Sequence, residues 1–294
     1  MIQKVAVIGC GAMGAGIAQV TLEAGYRVVV REVDASLLDK GMAAVKKGIE
    51  RSVEKGTLSS STKEEAWARL SGTLVLKDLA DCDLVIEAVF EDIQIKKELF
   101  EGLDAICKKE TIFASNTSSL SVTEMASVTK RKERIIGLHF FNPVQVMPLA
   151  EVIKTIATDD EILRIAFDFV KSLKKVPIRA KDNSGFIVNL LLTPFLMDSI
   201  RAVANGVASI QDIDAGMKLG CGHPMGPLML ADFIGLDVLC KGTTSMFEEY
   251  KDSRYAPPPL LIRMVRMGYI GKKAGKGFYD WSNAKNPAPL DLKL

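Results

Sequence analysis

The stretch Val5-Ala-Val-Ile-Gly-Cys-Gly-Ala-Met-Gly14 decides how the N-terminal half of this chain is built. Four consecutive apolar residues, three of them β-branched, predict a strand buried on both faces, which the glycines then break into a tight turn opening a helix. In such a turn Gly9 permits the bend, Gly11 lets the backbone approach a pyrophosphate, and Gly14 lets the helix pack on the strand, with the N–H groups of Ala12 and Met13 near the anion. The helix, with Met13, Ile17 and Val20 to Leu22 apolar, stops at Gly25. A second strand, Arg27 to Arg31, ends at Glu32. That carboxylate follows the glycines at the spacing that serves the two adenosine ribose hydroxyls of a dinucleotide.

The chain has 294 residues, 48% apolar and 25% charged, the balance of a globular protein with room for two domains. Thirty-eight Lys and Arg against 36 acidic residues give no nucleic-acid surface, so a polyanion must be met by a local cluster. Five cysteines without a CxxC or other tight spacing predict free thiols in a reducing compartment and no metal site. The first strand begins close to Met1, leaving no room for a leader, and no apolar run is long enough to span a membrane. The expectation is a cytoplasmic protein.

Further along, Ser36 reads as the cap of a long helix with Leu38, Met42, Val45 and Ile49 on one face. Lys47, Arg51 and Lys55 recur every four residues on the other, as a solvated face or as a cationic stripe able to meet phosphates. Thr57 to Thr62 predicts a turn and Lys63 to Leu70 a short helix. Strands follow at Thr73 to Leu76, Leu84 to Ala88, Thr111 to Ser115 and Arg134 to His139, with a helix over Ile93 to Leu103. Several of these strands finish on polar groups, as Glu87 to Glu91, Asn116 to Ser119 and His139 to Asn142 show, and packing alone does not call for that. Ala150 to Thr155 and Val176 to Ala180 are late strands around a helix at Asp160 to Leu173. From Gly185 the pattern is helical: Phe186 to Ala204, Ser209 to Gly220, Gly226 to Phe233, Leu236 to Tyr250 and Leu260 to Met267. The fold expected is α/β, an N-terminal Rossmann-type doubly wound sheet (residues 1–183) followed by an all-helical domain (184–294). The apolar content of the helical part points to a homodimer formed through it.

Only His139 and His223 offer an imidazole. His223 lies in a loop between helices, where a structural or exposed role is usual. His139 ends a strand at the ligand edge, and Glu151 stands twelve residues on, within reach if the two strands are antiparallel neighbours. A carboxylate on one ring nitrogen fixes the tautomer and raises the basicity of the other, as alcohol oxidation requires. A histidine satisfied by backbone at a strand end is the equally common alternative.

Gly9-Cys-Gly-Ala-Met-Gly-Ala-Gly16, Ala114-Ser-Asn-Thr-Ser-Ser-Leu120, Gly137-Leu-His-Phe-Phe-Asn-Pro143, Gly185-Phe-Ile-Val-Asn189, His223-Pro-Met-Gly-Pro227 and Gly271-Lys-Lys-Ala-Gly-Lys-Gly-Phe-Tyr279 occur in one order. Together they resemble the short-chain 3-hydroxyacyl-CoA dehydrogenase family, and within it the bacterial 3-hydroxybutyryl-CoA dehydrogenases of butyrate pathways. The resemblance implies that His139 is the catalytic base with Glu151 as its partner, and that Ser118 and Asn189 hydrogen-bond the substrate oxygen. It implies that Glu32, Glu91, Lys96, Ser118, Asn142 and Lys273 contact NAD, and that Lys55 with Arg51 meets CoA, which turns the reading of the basic stripe towards phosphates. It also implies closure of the two domains on each other, a C4 acyl group, and a reversible reaction between (S)-3-hydroxyacyl-CoA and 3-ketoacyl-CoA.

Three positions depart from the family pattern. Glu32 replaces a common Asp, Pro148 a frequent Lys and Leu190 a frequent Arg. Arg31 beside Glu32 is able to accept a 2′-phosphate, which keeps NADP open, although two facing negative groups favour NAD. Two rival readings are a β-hydroxyacid dehydrogenase acting on a free acid, which usually employs a lysine base, and a catalytically idle NADH-binding structural protein, which needs neither His139 nor Glu151.

Overall fold

The apolar run forms β1 (Lys4–Ile8), whose last four side chains are fully buried, in a computed structural model that describes residues 2–292. It is an inner strand of an eight-stranded sheet with β2 (Arg27–Arg31), β3 (Leu70–Thr73), β4 (Leu84–Glu87), β5 (Ile112–Ser115), β6 (Ile135–Phe140), β7 (Leu149–Lys154) and β8 (Val176–Lys181). The order is β3-β2-β1-β4-β5-β6-β7-β8. All neighbours are parallel except β6 and β7. The chain leaves β1 towards β2 on one side and returns to β4 on the other, which puts the crevice of a Rossmann-type sheet at the carboxyl ends of β1 and β4. Helices α1 (Ala12–Glu23), α2 (Ala35–Glu54), α3 (Ser60–Ala68), α4 (Ile93–Ile106), α5 (Val122–Ser127) and α6 (Asp160–Ser172) complete this unit, which runs to Phe186.

Several boundaries differ from those the sequence predicts. Asp34, not Ser36, caps α2: its Oδ1 accepts from the backbone of Ser36 and Leu37 at 2.8 and 3.1 Å, so Ser36 contributes its amide rather than its hydroxyl. Ser59 caps α3, which starts earlier than expected. The third strand lies at Leu70–Thr73, not at Thr73 to Leu76. Leu74 and Val75 are exposed and Leu76–Leu79 is a 3₁₀ turn, because pairing with β2, Val28 opposite Leu70 through Arg31 opposite Thr73, selects the edge strand.

The second unit begins at Ile187 and contains α7 (Val188–Ala204), α8 (Ile210–Cys221), α9 (Pro227–Ile234), α10 (Leu236–Tyr250) and α11 (Pro259–Arg266). Near its end, β9 (Tyr279–Asp280) and β10 (Ala288–Pro289) form a short antiparallel pair within the otherwise helical unit. Leu196, Met197, Ile200, Leu228, Leu261 and Phe278 are central to its core. Helix α8 ends at a left-handed Gly222 rather than at Gly220, and α7 starts after Phe186, whose φ of +51° is not helical. Among the described residues, no helix is long and apolar enough to cross a membrane.

Candidate active site

Each glycine of the turn after β1 does a different job. Gly9 has φ +86°, and a Cβ there would meet Ala88 O at 2.6 Å; a Cβ at Gly14 would meet Gly9 O at 1.8 Å. A Cβ at Gly11 would touch no protein atom within 4 Å, so that residue leaves space rather than fills it. Gly11 is the N-cap of α1 and no side chain caps the helix. Ala12 and Met13 form its first turn. An uncapped helix start facing an open backbone is a fit for a pyrophosphate. Glu32 completes the turn, accepting from Cys10 N at 2.6 Å and Val33 N at 3.2 Å. Burial, reinforced by the Glu32 carboxylate, pushes the Cys10 thiol up to about 12, so it is not a nucleophile at neutral pH.

A cleft of about 620 Å³ adjoins this turn, lined by Gly11, Ala12, Glu32, Lys40, Lys47 and Arg51 among others. Arg51 is therefore brought to the cleft, and Lys55, the C-cap of α2, lies outside its lining. Lys40 was missed by a reading in steps of four. The face that reaches the cleft follows the true helical period through Lys40, Ala44, Lys47 and Arg51.

At the carboxyl ends of β4 and β5, a chain of buried polar groups leads to Ser118. Glu87 is fully buried and accepts from Val89 N at 2.7 Å, Lys96 Nζ at 2.7 Å and Ser115 Oγ at 2.6 Å. Lys96, also buried, bridges at 2.9 Å to Glu91, which accepts from Thr117 Oγ1 at 2.5 Å and Ser118 N at 3.1 Å. Burial raises the Glu91 carboxyl, but the Lys96 charge and the hydrogen bonds from Thr117, Lys96 and Ser118 together hold it below the usual range. Lys96 thus stands between two carboxylates, while Glu91 remains partly exposed. Glu87 and Thr117 carry this arrangement; their signal in the sequence was the run of polar groups that ends each of these two buried strands.

His139 and Glu151 sit directly opposite each other on the antiparallel pair β6 and β7. Nδ1 of His139 lies 2.7 Å from Glu151 Oε2, with the ring nearly buried and the carboxylate wholly so. A carboxylate at Nδ1 makes that nitrogen the protonated one and gives Nε2 the free lone pair. Asn142 follows β6 and joins Pro143 through a cis peptide; the loop beyond is tied down by Lys175 Nζ, which donates to Val144 O and to Met147 O at 2.7 Å. Burial lowers the pKa of that ammonium, which only the Glu23 charge opposes. In the second unit Asn189 lies in the first turn of α7, and Lys273 pairs with Asp237 at 2.7 Å.

A dinucleotide turn, an acid at the end of β2 and a buried imidazole–carboxylate pair on one sheet edge define an NAD-dependent oxidoreductase. Residues 4–183 match the family model for the 3-hydroxyacyl-CoA dehydrogenase NAD binding domain and residues 185–281 that for its C-terminal domain. The chain belongs to the 3-hydroxyacyl-CoA dehydrogenase family. It is similar to the 3-hydroxybutyryl-CoA dehydrogenase of Mycobacterium tuberculosis strain H37Rv, at 44% identity over 95% of this chain and 99% of the relative. It is equally similar to the enzyme so named in Clostridioides difficile, at 44% over the same shares. The crystal structure of (S)-3-hydroxybutyryl-CoA dehydrogenase PaaH1 from Ralstonia eutropha superposes with a TM-score of 0.92 at 41% identity, covering 96% of this chain and 100% of that one.

Proposed function

We propose that this protein interconverts (S)-3-hydroxybutyryl-CoA and acetoacetyl-CoA with NAD⁺ and NADH, as part of butyrate or fatty acid metabolism in the cytoplasm. The observation that carries this reading is the 2.7 Å contact between His139 Nδ1 and Glu151 at the carboxyl edge of the sheet. NAD⁺, when bound, supplies the hydride acceptor. His139 Nε2 takes the hydroxyl proton in the oxidative direction and returns it in the reductive one, while Glu151 stabilises the imidazolium formed in between. Ser118 and Asn189 donate hydrogen bonds to the substrate oxygen as negative charge gathers on it.

Gly9, Gly11, Ala12, Met13 and Gly14 bind the pyrophosphate through their backbone, and Glu32 binds the adenosine ribose. Glu91, Lys96, Asn142 and Lys273 serve the rest of the dinucleotide. Arg51, with Lys55, meets the phosphates of CoA. The working domains are residues 1–183 and 184–294, and the second carries a homodimer interface. Support for that interface comes from Leu191, Val207, Leu219 and Met267, large apolar residues of the second unit left exposed.

The test is a steady-state comparison of NADH and NADPH with acetoacetyl-CoA, longer 3-ketoacyl-CoAs and free acetoacetate. NADH oxidation fastest with acetoacetyl-CoA and absent with acetoacetate is the expected result. Reduction of free acetoacetate would overturn the thioester assignment. Absence of any acyl-CoA-dependent oxidation would leave an NADH-binding protein without this activity.

A further inference from the structure

Among the described residues, three non-glycine positions have a left-handed backbone: Lys174, Phe186 and Lys251. Lys251 is the C-cap of α10 and Lys174 follows the C-cap of α6, positions where such a conformation terminates a helix. Phe186 has no such reason. It precedes a helix, follows Gly185 at φ +80°, and is the last residue of the first unit. Strain kept by a bulky residue calls for something that the side chain does.

The segment leading to it is anchored. Asp182 accepts from Val122 N at 2.9 Å, Thr123 N at 2.5 Å and Ser121 Oγ at 3.1 Å, Ser184 Oγ donates to Ser119 O at 2.9 Å, and Phe186 N donates to Asn183 O at 2.9 Å. Phe186 is 3% exposed and its ring stands 5.6 Å from the His139 ring at 56°, while Phe141 stands 4.5 Å from the same ring at 55°. The Glu151 contact fixes one nitrogen of His139, but a hydrogen bond tolerates tens of degrees of misalignment, so it does not fix the plane of the ring. Proton transfer is sensitive to displacements of about 1 Å.

We propose that Phe186 is a positioning residue for the catalytic base: its ring, held by a strained and anchored backbone, joins Phe141 in setting the plane of the His139 imidazole and hence the direction of Nε2. Asp182 and Ser184 belong to the same device, because they tie this segment to the loop that carries Ser118. The inference rests on His139 being the base.

The experiment measures kcat for acetoacetyl-CoA reduction and the Kd for NADH in Phe186→Leu and Phe186→Tyr, each alone and combined with His139→Gln. Phe186→Leu is expected to lower kcat roughly 10- to 100-fold, as displacements of this size do, with Kd within about twofold of the parent. Phe186→Tyr, which retains the ring, recovers most of that loss. Added to His139→Gln, Phe186→Leu costs less than about twofold more, since a residue acting through the imidazole has nothing left to act on. Phe186→Gly, which relieves the backbone strain, replaces the leucine variant if that chain does not fold, with the same readout. Parent-like kcat in Phe186→Leu, or its full loss repeated on top of His139→Gln, overturns the proposal while leaving the base assignment intact. Parent-like kcat in His139→Gln alone overturns both.

Discussion

Carboxylates wholly or largely removed from solvent occur in both units, and they are used in opposite ways. At the sheet edge of the first, Glu87 and Glu91 share the ammonium of Lys96, and Glu151 holds the imidazole of His139. In the second, Asp214 accepts from Leu228 N, Met229 N and Tyr279 Oη at 2.7 to 2.9 Å, and Asp232 from Phe278 N, Tyr279 N and Trp281 Nε1 at 2.8 to 2.9 Å. Burial drives the Asp232 carboxyl above its usual range despite those three bonds, with Asp214 adding to the rise, whereas Glu91 is held low by the cation it faces. Burial of an acid therefore does not mark a reactive site. The partner does: a frame of fixed N–H and O–H donors makes a structural pin, and a cationic or imidazole side chain makes a group that can respond to a ligand.

Removing the pin is the harshest way to test this contrast. Asp232→Ala strands three buried donors and is expected to cost about 3–5 kcal/mol of stability by urea unfolding. A loss under about 1 kcal/mol would break the comparison. Glu87→Gln leaves Lys96 with Glu91 as its remaining carboxylate, so the stability loss drops to about 2 kcal/mol, and the disturbance passes to Ser118 and appears as lower kcat. Glu91→Gln should cost less stability still, under about 1 kcal/mol, and weaken NADH binding about 10-fold by fluorescence titration, equivalent to about 1.4 kcal/mol.

The smallest effect is one of sign. Glu91 has a lowered folded pKa, so its contribution is present above the ordinary glutamate value of about 4.3 and is lost as pH falls through the folded value. Asp232 has a raised one, so its contribution is lost as pH rises from about 3.9 through the folded value. Unfolding free energies measured against pH should thus show a shallower acid loss in Glu91→Gln than in the parent. In Asp232→Asn, the fall with rising pH that the parent owes to this group should be missing.

Much of this was legible because burial writes itself into composition. Val5 to Ile8 has to be a doubly covered strand, and the turn after it needs its glycines. Strand β3 was not legible: Leu-Ser-Gly-Thr carries no apolar pattern, and backbone pairing to β2 alone defines it. The motifs at His223 to Pro227 and Gly271 to Tyr279 were recognisable as family marks before their purpose was. A Cβ at Gly226 would lie 2.2 Å from the Asp214 carboxyl carbon, and one at Gly277 would lie 2.0 Å from Asp232 Oδ1, so these glycines make room for the two pins. Phe186 escaped because a left-handed backbone and a ring contact across the fold leave no periodic trace.

One imidazole, held by Glu151, is proposed to move the proton. The direct measurement is the turnover of His139→Gln beside its affinity for NADH. Turnover reduced about 10²- to 10⁴-fold with NADH affinity unchanged is the result expected of a lost general base. Turnover close to that of the parent would contradict the account.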